Sequence, residues 1–187
     1  MATEILRPNG AGFITELTAN GAATNWECVD EASHDSNTTY VSNNSSGITK
    51  KDLYTINANS IGVSDTINSV TLYIICRCTA TGRLIVNTGY RYIRENGVST
   101  VGGSNSLTTS YASYSTTWNT KPSNGSAWTK TDIDNLQIGV QLLVSGATES
   151  RCTQVYVVVD YTPSGGGGSV SQKIIMPRQA IKRASNY

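Results

Sequence analysis

Three stretches of the chain alternate apolar and polar residues with a period of two, and this alternation limits the fold more than any other feature. They cover residues 69–79, 136–144 and 154–161. Successive side chains of a β-strand point to opposite faces, so the pattern predicts strands with one face in a core. No helix of three turns is predicted to connect them. Parallel strands need such crossovers, so we expect antiparallel sheets.

The composition agrees with a chain of strands and turns. Thr, Ser and Asn make up 62 of the 187 residues, and charged residues only 14%. Shorter strand signals occur at residues 13–18, 26–29, 38–41, 52–56, 83–94 and 107–118. We therefore predict an all-β protein, an antiparallel β-sandwich of the jelly-roll type with eight to nine strands and extended N- and C-terminal arms.

Changes in composition divide the chain into four predicted segments. Residues 1–12 are small and turn-rich and are expected to form an N-terminal arm, before a β-sandwich domain over 13–163. A Gly-rich linker over 164–168 leads to a C-terminal arm over 169–187. Residues 1–163 include 10 basic and 13 acidic side chains, whereas the C-terminal arm holds four bases and no acid.

The C-terminal arm mixes these bases with apolar side chains and is too short to form a core of its own. Such a segment suits binding along a groove or strand edge of a neighbouring protein. We predict that partner contacts come from Ile174, Ile175, Met176, Arg178, Lys182 and Arg183. The GGGGS in the linker is also a common engineered sequence, so whether the linker is native stays open.

The sequence holds few residues that support catalysis or metal binding. His34 is the single histidine, and no nucleotide-binding, hydrolase or metalloprotease motif occurs. Cys76 and Cys78 share a strand face, which fits buried small side chains better than a zinc site, and the same is expected of Cys28 and Cys152. We predict no enzyme, no catalytic residue, no cofactor and no metal. No apolar run is long enough to span a membrane.

Acidic and aromatic clusters leave three alternatives open. The carboxylates Glu27, Asp30, Glu31 and Asp35 could serve glycoside hydrolysis or bind calcium, but such groups more often cap turns. Asp132-Ile133-Asp134 begins like a calcium loop and lacks its later ligands. Tyr111, Tyr114 and Trp118 are a possible surface patch for a sugar or a protein, although Trp118 and Trp128 could instead close the sandwich.

Three stretches together resemble β-rich virion structural proteins of tailed bacteriophages. The resemblance spans about residues 26–161 and leaves the arms out. It rests on Trp26…Val29-Asp30-Glu31…Asp35…Thr38…Tyr40-Val41, on Trp118-Asn119-Thr120-Lys121-Pro122…Gly125…Trp128-Thr129, and on 132–140 leading to Arg151-Cys152-Thr153-Gln154-Val155-Tyr156-Val157.

This resemblance implies a non-enzymatic assembly role in a virion. A capsid decoration (cement) protein agrees best with the arms. It implies a homo-oligomer, with a trimer favoured, that is made in the host cytoplasm and binds the major capsid protein or another virion protein. Neither a membrane nor nucleic acid is expected as a partner. A head fibre, neck or tail component stays open, and so do a carbohydrate-binding module and a glycosidase using Glu27 or Glu31.

Overall fold

The computed structural model describes residues 1–81 and 87–165, which form two antiparallel β-sheets packed face to face. A 3₁₀ turn covers Trp26–Cys28, and one short helix, α1, covers Lys130–Asp134. The strands are β1 Ala2–Leu6, β2 Pro8–Thr15, β3 Thr18–Asn20, β4 Tyr40–Asn43, β5 Thr49–Ile56, β6 Thr66–Cys78, β7 Thr88–Glu95, β8 Val98–Ser106, β9 Ala112–Trp118, β10 Gln137–Leu143 and β11 Ser150–Thr162.

The strand order is that of a jelly roll. Sheet A runs β3-β4-β11-β6-β9, and β1 pairs with the second half of β11. Sheet B runs β2-β5-β10-β7-β8. The eight strands from β4 to β11 therefore form two facing four-stranded sheets, β4-β11-β6-β9 and β5-β10-β7-β8, which is the arrangement that two Greek keys produce. The predicted antiparallel β-sandwich is confirmed.

The core lies between the sheets and comes from the residues that the alternation assigned to it. On β6, Val70, Leu72 and Ile74 are fully buried, whereas Thr71 and Tyr73 face outward and are half-buried. The buried residues of β10 and β11 alternate in the same way and complete the core: Ile138, Val140, Leu142, Val155, Val157 and Val159. Period-two patterning thus identified both the strands and their inner faces.

The four cysteines are buried small side chains, as predicted. Cys28, Cys76, Cys78 and Cys152 are all free thiols with no exposed surface. Cys76 lies directly opposite Cys152 in the β6–β11 register. Burial raises the pKa of Cys76 well above its ordinary value, and its hydrogen bond with Cys152 adds to this rise. Both thiols therefore act as apolar packing groups.

The predicted N-terminal arm is corrected by the structure. Residues 2–6 pair with β11 in sheet A, and residues from Pro8 onward pair with β5 in sheet B. Leu6 is fully buried in the core. The small, turn-rich composition of residues 1–12 concealed this, because β-pairing draws on backbone groups that every residue carries. The N-terminal segment thus adds β1 to sheet A and the edge strand β2 to sheet B.

Three local predictions also differ from the structure. Trp26–Cys28 forms a 3₁₀ turn and not a strand. The Thr88-Gly89 pair predicts a break within the strand signal of residues 83–94, but both residues begin β7. Gly102 and Gly103 predict a turn from sequence, but both lie inside β8. The register of β8 against β7 shifts between Tyr90 and Tyr92, so β8 carries a bulge that accommodates these glycines.

The sequence also predicts one helical turn over residues 131–136 with Thr131 as its N-cap, whereas α1 begins earlier, at Lys130. Thr129 is the N-cap, and Thr129 and Asp132 form a reciprocal capping box. Burial disfavours ionisation of Asp132, but hydrogen bonds from Thr129, Asn96 and Lys121 outweigh it and lower its pKa to about 2. The Asp132 carboxylate therefore fixes this corner of the fold.

Within residues 1–81 and 87–165, no helix has the length and apolar character needed to cross a membrane. The C-terminal arm over 169–187 lies outside the described residues.

Candidate functional site

A pocket of about 300 Å³ lies at the β2 edge of the sandwich. This volume is at the lower end of the range for small-ligand sites. Residues of β2, of the loop before the 3₁₀ turn and of β5 line it: Ala11, Thr15, Ala23, Thr24, Asn25, Trp26 and Tyr54.

The loop that carries Trp26 is fixed to the sandwich at several points. The Val155 N–H donates to the Val29 carbonyl at 2.9 Å, which fixes the end of the loop to β11. Asn25 Nδ2 donates to the Leu17 carbonyl at 2.8 Å and to Asp52 Oδ2 at 2.6 Å. Trp26 packs against the core and is half-buried. The indole is therefore held in place at the pocket before any ligand arrives.

Behind the pocket wall, the buried carboxylate of Asp52 organises four donors. Its Oδ1 accepts the N–H groups of Glu16 and Leu17, at 2.7 and 2.9 Å. Its Oδ2 accepts Asn25 Nδ2 and the Tyr54 hydroxyl, the latter at 3.0 Å. Burial raises the pKa of Tyr54 well above its ordinary value, and the Asp52 charge adds to this. Asp52 thus positions Asn25 and Tyr54.

The lining of the pocket is aromatic and uncharged. The half-buried Trp26 supplies ring surface, the buried Tyr54 lies in the pocket wall, and none of the seven lining residues carries a formal charge. Polar groups come from the hydroxyls of Thr15 and Thr24 and the amide of Asn25. The Thr24 hydroxyl donates to Glu27 Oε2 at 2.8 Å, so its oxygen lone pairs can accept a further bond. Such a lining suits a neutral ligand with an apolar face and several hydroxyl groups.

The acidic cluster near residue 30 holds loops together and does not line the pocket. Glu27 accepts both the N–H and the hydroxyl of Thr24. Glu31 and Asp35 both contact the Thr39 hydroxyl, and Asp35 also accepts the Thr153 hydroxyl at 3.0 Å. Among the described residues, no group of three or more His, Cys, Asp or Glu side chains is arranged to hold a metal ion.

One hydroxyl cannot satisfy two ionised carboxylates. Thr39 has a single hydroxyl proton, so it can donate to only one of Glu31 and Asp35 at a time, and its bond to Glu31 favours the charged form without outweighing burial. Burial raises the pKa of Glu31, and the charges of Asp35 and Asp30 raise it further. Folded-state Glu31 therefore holds its proton to a higher pH than the unfolded chain does.

This raised pKa predicts a pH dependence of stability that Glu31→Gln removes. The stabilisation from protonated Glu31 is present below its unfolded pKa and is lost as the pH rises through its folded pKa. We expect Glu31→Gln to be more stable than the wild type by roughly 1 kcal/mol at pH 7–8, the size of one hydrogen bond. The difference should disappear near pH 4.

Urea unfolding of both proteins between pH 4 and pH 8 measures this effect. Glu16→Gln, which changes an exposed carboxylate, is the matched control and should follow the wild type. A constant difference between Glu31→Gln and the wild type across this range would contradict the prediction.

The structure does not bring Tyr111, Tyr114 and Trp118 together in a single surface patch. Tyr114 and Trp118 lie on the inner face of β9 and pack against the core. The Trp118 carbonyl accepts the Trp128 indole N–H at 3.2 Å, and Trp128 is buried. The two tryptophans therefore close the sandwich. Tyr111 precedes β9 and bonds Asn37 through its hydroxyl, with Arg77 over its ring.

The remaining predicted site residues are distributed as follows. The centroid of the His34 ring lies 6.0 Å from that of the Tyr111 ring. The partner-binding residues predicted in the arm lie outside the described residues: Ile174, Ile175, Met176, Arg178, Lys182 and Arg183. Sequence reasoning missed the pocket, since its residues come from three separate segments. A single signal was available, the isolated Trp26 within a polar loop.

Comparisons with known proteins show distant likenesses. No family model and no curated protein matches the chain. Two solved structures are similar over most of their length. The xylan-binding module CBM15 has a TM-score of 0.41 at 10% identity, over 84% of this chain and 95% of that one. The N-terminal cellulose-binding domain of Cellulomonas fimi β-1,4-glucanase C has a TM-score of 0.39 at 16% identity, over 79% and 88%. At these scores the likeness indicates nothing about a ligand.

Proposed function

We propose that this protein is a carbohydrate-binding β-sandwich that holds a neutral sugar unit in the Trp26 pocket. The observation that carries the proposal is the lining of that pocket, which combines ring surface with hydroxyl and amide groups and has no charge. A sugar ring has an apolar C–H face that stacks on an indole, and hydroxyls that bond threonine and asparagine. A phosphate, carboxylate or amine ligand would need a charged partner in the lining.

The same lining favours binding over hydrolysis. Glycoside hydrolysis uses two carboxyl groups that flank the scissile bond. None of the lining residues has a carboxyl group, and the nearby Glu27 is engaged with Thr24. Glu31 contacts Thr39. The proposed role is therefore non-enzymatic, with the sugar released unchanged.

The test is binding to an array of neutral oligosaccharides, followed by calorimetry with the best ligand. We expect Trp26→Ala to weaken binding at least tenfold, because the stacking surface is removed. Ala23→Trp is the second variant. Ala23 is exposed and lines the pocket, so a large side chain there blocks the site and removes no core contact. Both variants should lose binding.

Phe13→Ala is the matched control. Phe13 is an exposed aromatic residue of β2 outside the pocket lining, and its loss should leave neutral-sugar binding unchanged. Retained binding in folded Trp26→Ala and Ala23→Trp, checked by circular dichroism, would overturn the proposal. Absence of binding to every neutral glycan would do the same.

A virion structural role is the second candidate. The observation that favours it is that two of the phage-like stretches contact each other directly. Trp128 bonds Trp118 within the second stretch, and Lys121 pairs with Asp132 of the third at 3.1 Å. Parts of the second and third stretches thus meet at one corner of the fold. Light scattering of the chain with and without residues 165–187 tests it: a closed trimer supports assembly, and a monomer in both forms opposes it.

A further inference from the structure

The outer face of sheet B carries a second set of charged, amide and aromatic side chains, most of them half-buried. Gln137, Gly139 and Gln141 of β10 point away from the core, because Ile138, Val140 and Leu142 point into it. The register places outward-facing neighbours from β5 and β7 beside them. We call this set the basic face: Lys51, Gln141, Tyr90, Tyr92, Gln137, Arg94 and, from β2, Phe13.

Two cations on the basic face lie over aromatic rings. Lys51 Nζ is 5.4 Å from the centroid of the Tyr92 ring. The Arg94 guanidinium carbon is 3.9 Å from the centroid of the Phe13 ring, and Phe13 is 64% exposed. Cation–π contacts of this kind hold a charged group in place and leave its charge available to a ligand.

Neither cation has an acidic partner in the described part of the chain. The three ion pairs found there join Lys121 to Asp132, Lys130 to Asp134 and Arg151 to Glu149. Glu16 is the acidic residue in contact with the β5 segment of the face, and its carboxylate accepts the Lys51 backbone N–H at 3.0 Å. The basic face is therefore locally positive on a domain whose residues 1–163 are net acidic.

Neutral hydrogen-bonding groups lie between the two cations. Gln137 Oε1 accepts the Phe13 N–H at 2.8 Å, which leaves its amide NH₂ for a ligand. The Gln141 side chain and the Tyr90 hydroxyl form no hydrogen bond within the described residues. Two separated positive charges with amides and a phenol between them match a polymer that carries carboxylates at intervals and hydroxyls throughout.

We propose that the basic face binds an acidic polysaccharide of the polyuronate class, laid across β5, β10 and β7. Lys51 and Arg94 bond its carboxylates, and Gln137 and Gln141 bond its hydroxyls. A DNA strand also carries regular negative charges, but its sugar–phosphate backbone offers no free hydroxyls to the amides and the phenol that lie between the two cations. This inference does not depend on neutral-sugar binding in the Trp26 pocket.

The probe is polygalacturonate, measured by affinity electrophoresis and calorimetry with the full chain. We expect binding at 50 mM NaCl that weakens at least tenfold at 500 mM NaCl, because the contacts are between exposed charges. The double variant Lys51→Gln/Arg94→Gln should lose at least tenfold in affinity. Lys130→Gln, which removes a surface cation on α1, is the matched control and should bind as the wild type does.

The basic C-terminal arm is the main competing source of positive charge. A variant with Lys173, Arg178, Lys182 and Arg183 changed to Gln should bind polygalacturonate as well as the wild type. Binding that is lost in this variant, and retained in Lys51→Gln/Arg94→Gln, would overturn the proposal. The proposal would also be overturned if a single-stranded oligothymidylate bound the wild type more tightly than polygalacturonate does and lost that binding in the double variant.

Failure of this inference is distinguishable from failure of the neutral-sugar site. Trp26→Ala and Ala23→Trp should retain polygalacturonate binding, since they alter the pocket and leave the basic face intact. Unfolding midpoints of all variants identify any loss of binding that results from a loss of fold.

Discussion

Asp52→Ala is expected to remove a large part of the folding stability of the sandwich. The Asp52 side chain is fully buried and accepts four hydrogen bonds, from two backbone N–H groups, an amide and a phenol. Alanine would leave these donors without this acceptor, and the Leu17 N–H and the Tyr54 hydroxyl among them are buried away from water. Each unsatisfied buried donor costs about 1–3 kcal/mol, so we expect a loss of at least about 4 kcal/mol. Whole domains are stable by about 5–15 kcal/mol.

Guanidinium unfolding monitored by tryptophan fluorescence measures this loss. Asp52→Asn should recover part of it, because the retained oxygen can still accept the N–H groups of Glu16 and Leu17. Its new NH₂ would face the Asn25 amide, so recovery should be incomplete. Asp160→Ala is the matched control: Asp160 accepts one bond from Asn68 and is half-buried, and its loss should cost about 1 kcal/mol or less. Equal stability of the two alanine variants would contradict our account of Asp52.

Gly139→Ala is expected to destabilise the sandwich by about 3 kcal/mol, at the upper end of overpacking costs. A Cβ atom on Gly139 would overlap the Asp52 carbonyl oxygen, and it would lie 2.9 Å from the Asp52 carbonyl carbon and 3.0 Å from Leu53 Cα. All three are backbone atoms of β5, so relief requires a shift of the whole strand. The pairing of β5 with β10 would weaken as a result.

The control for this substitution is Gly165→Ala, because no atom lies within 4 Å of a Cβ built there. Its effect should stay within about 0.5 kcal/mol. Thermal and denaturant unfolding of both variants provide the comparison. Wild-type stability of Gly139→Ala would contradict this prediction, because it would mean that β5 can shift without weakening its pairing with β10.

Most of the inner faces were predictable because alternation is a local property. The pattern in residues 69–79 and 136–144 follows from each residue and its neighbours, and no distant contact is needed to interpret it. Reliance on local pattern also explains the wrong prediction of a strand at Trp26–Cys28, which forms a 3₁₀ turn. Its conformation depends on Asn25 bonding Leu17 and Asp52, which are distant in the sequence.

The candidate sites were hardly predictable. The pocket joins residues 11, 15, 23–26 and 54, and the basic face joins residues 13, 51, 90–94 and 137–141. The composition around Tyr114 and Trp118 predicted a surface patch, but both side chains lie on the inner face of β9 and pack against the core. A tyrosine or tryptophan serves a core or a surface equally well, so its environment decides its role.

The sequence by itself determined the class of the fold, the inner faces of the long strands and the burial of the cysteines. These features follow from the two-residue period of a strand and from the preference of apolar groups for a dry interior. Only the tertiary structure decided that residues 1–12 belong to both sheets, that Asp52 binds four donors, and which side chains meet at the pocket and the basic face. The reason is physical: these features arise from pairing and contact between segments far apart in the chain, and the energies of such contacts exist only once the sheets have assembled.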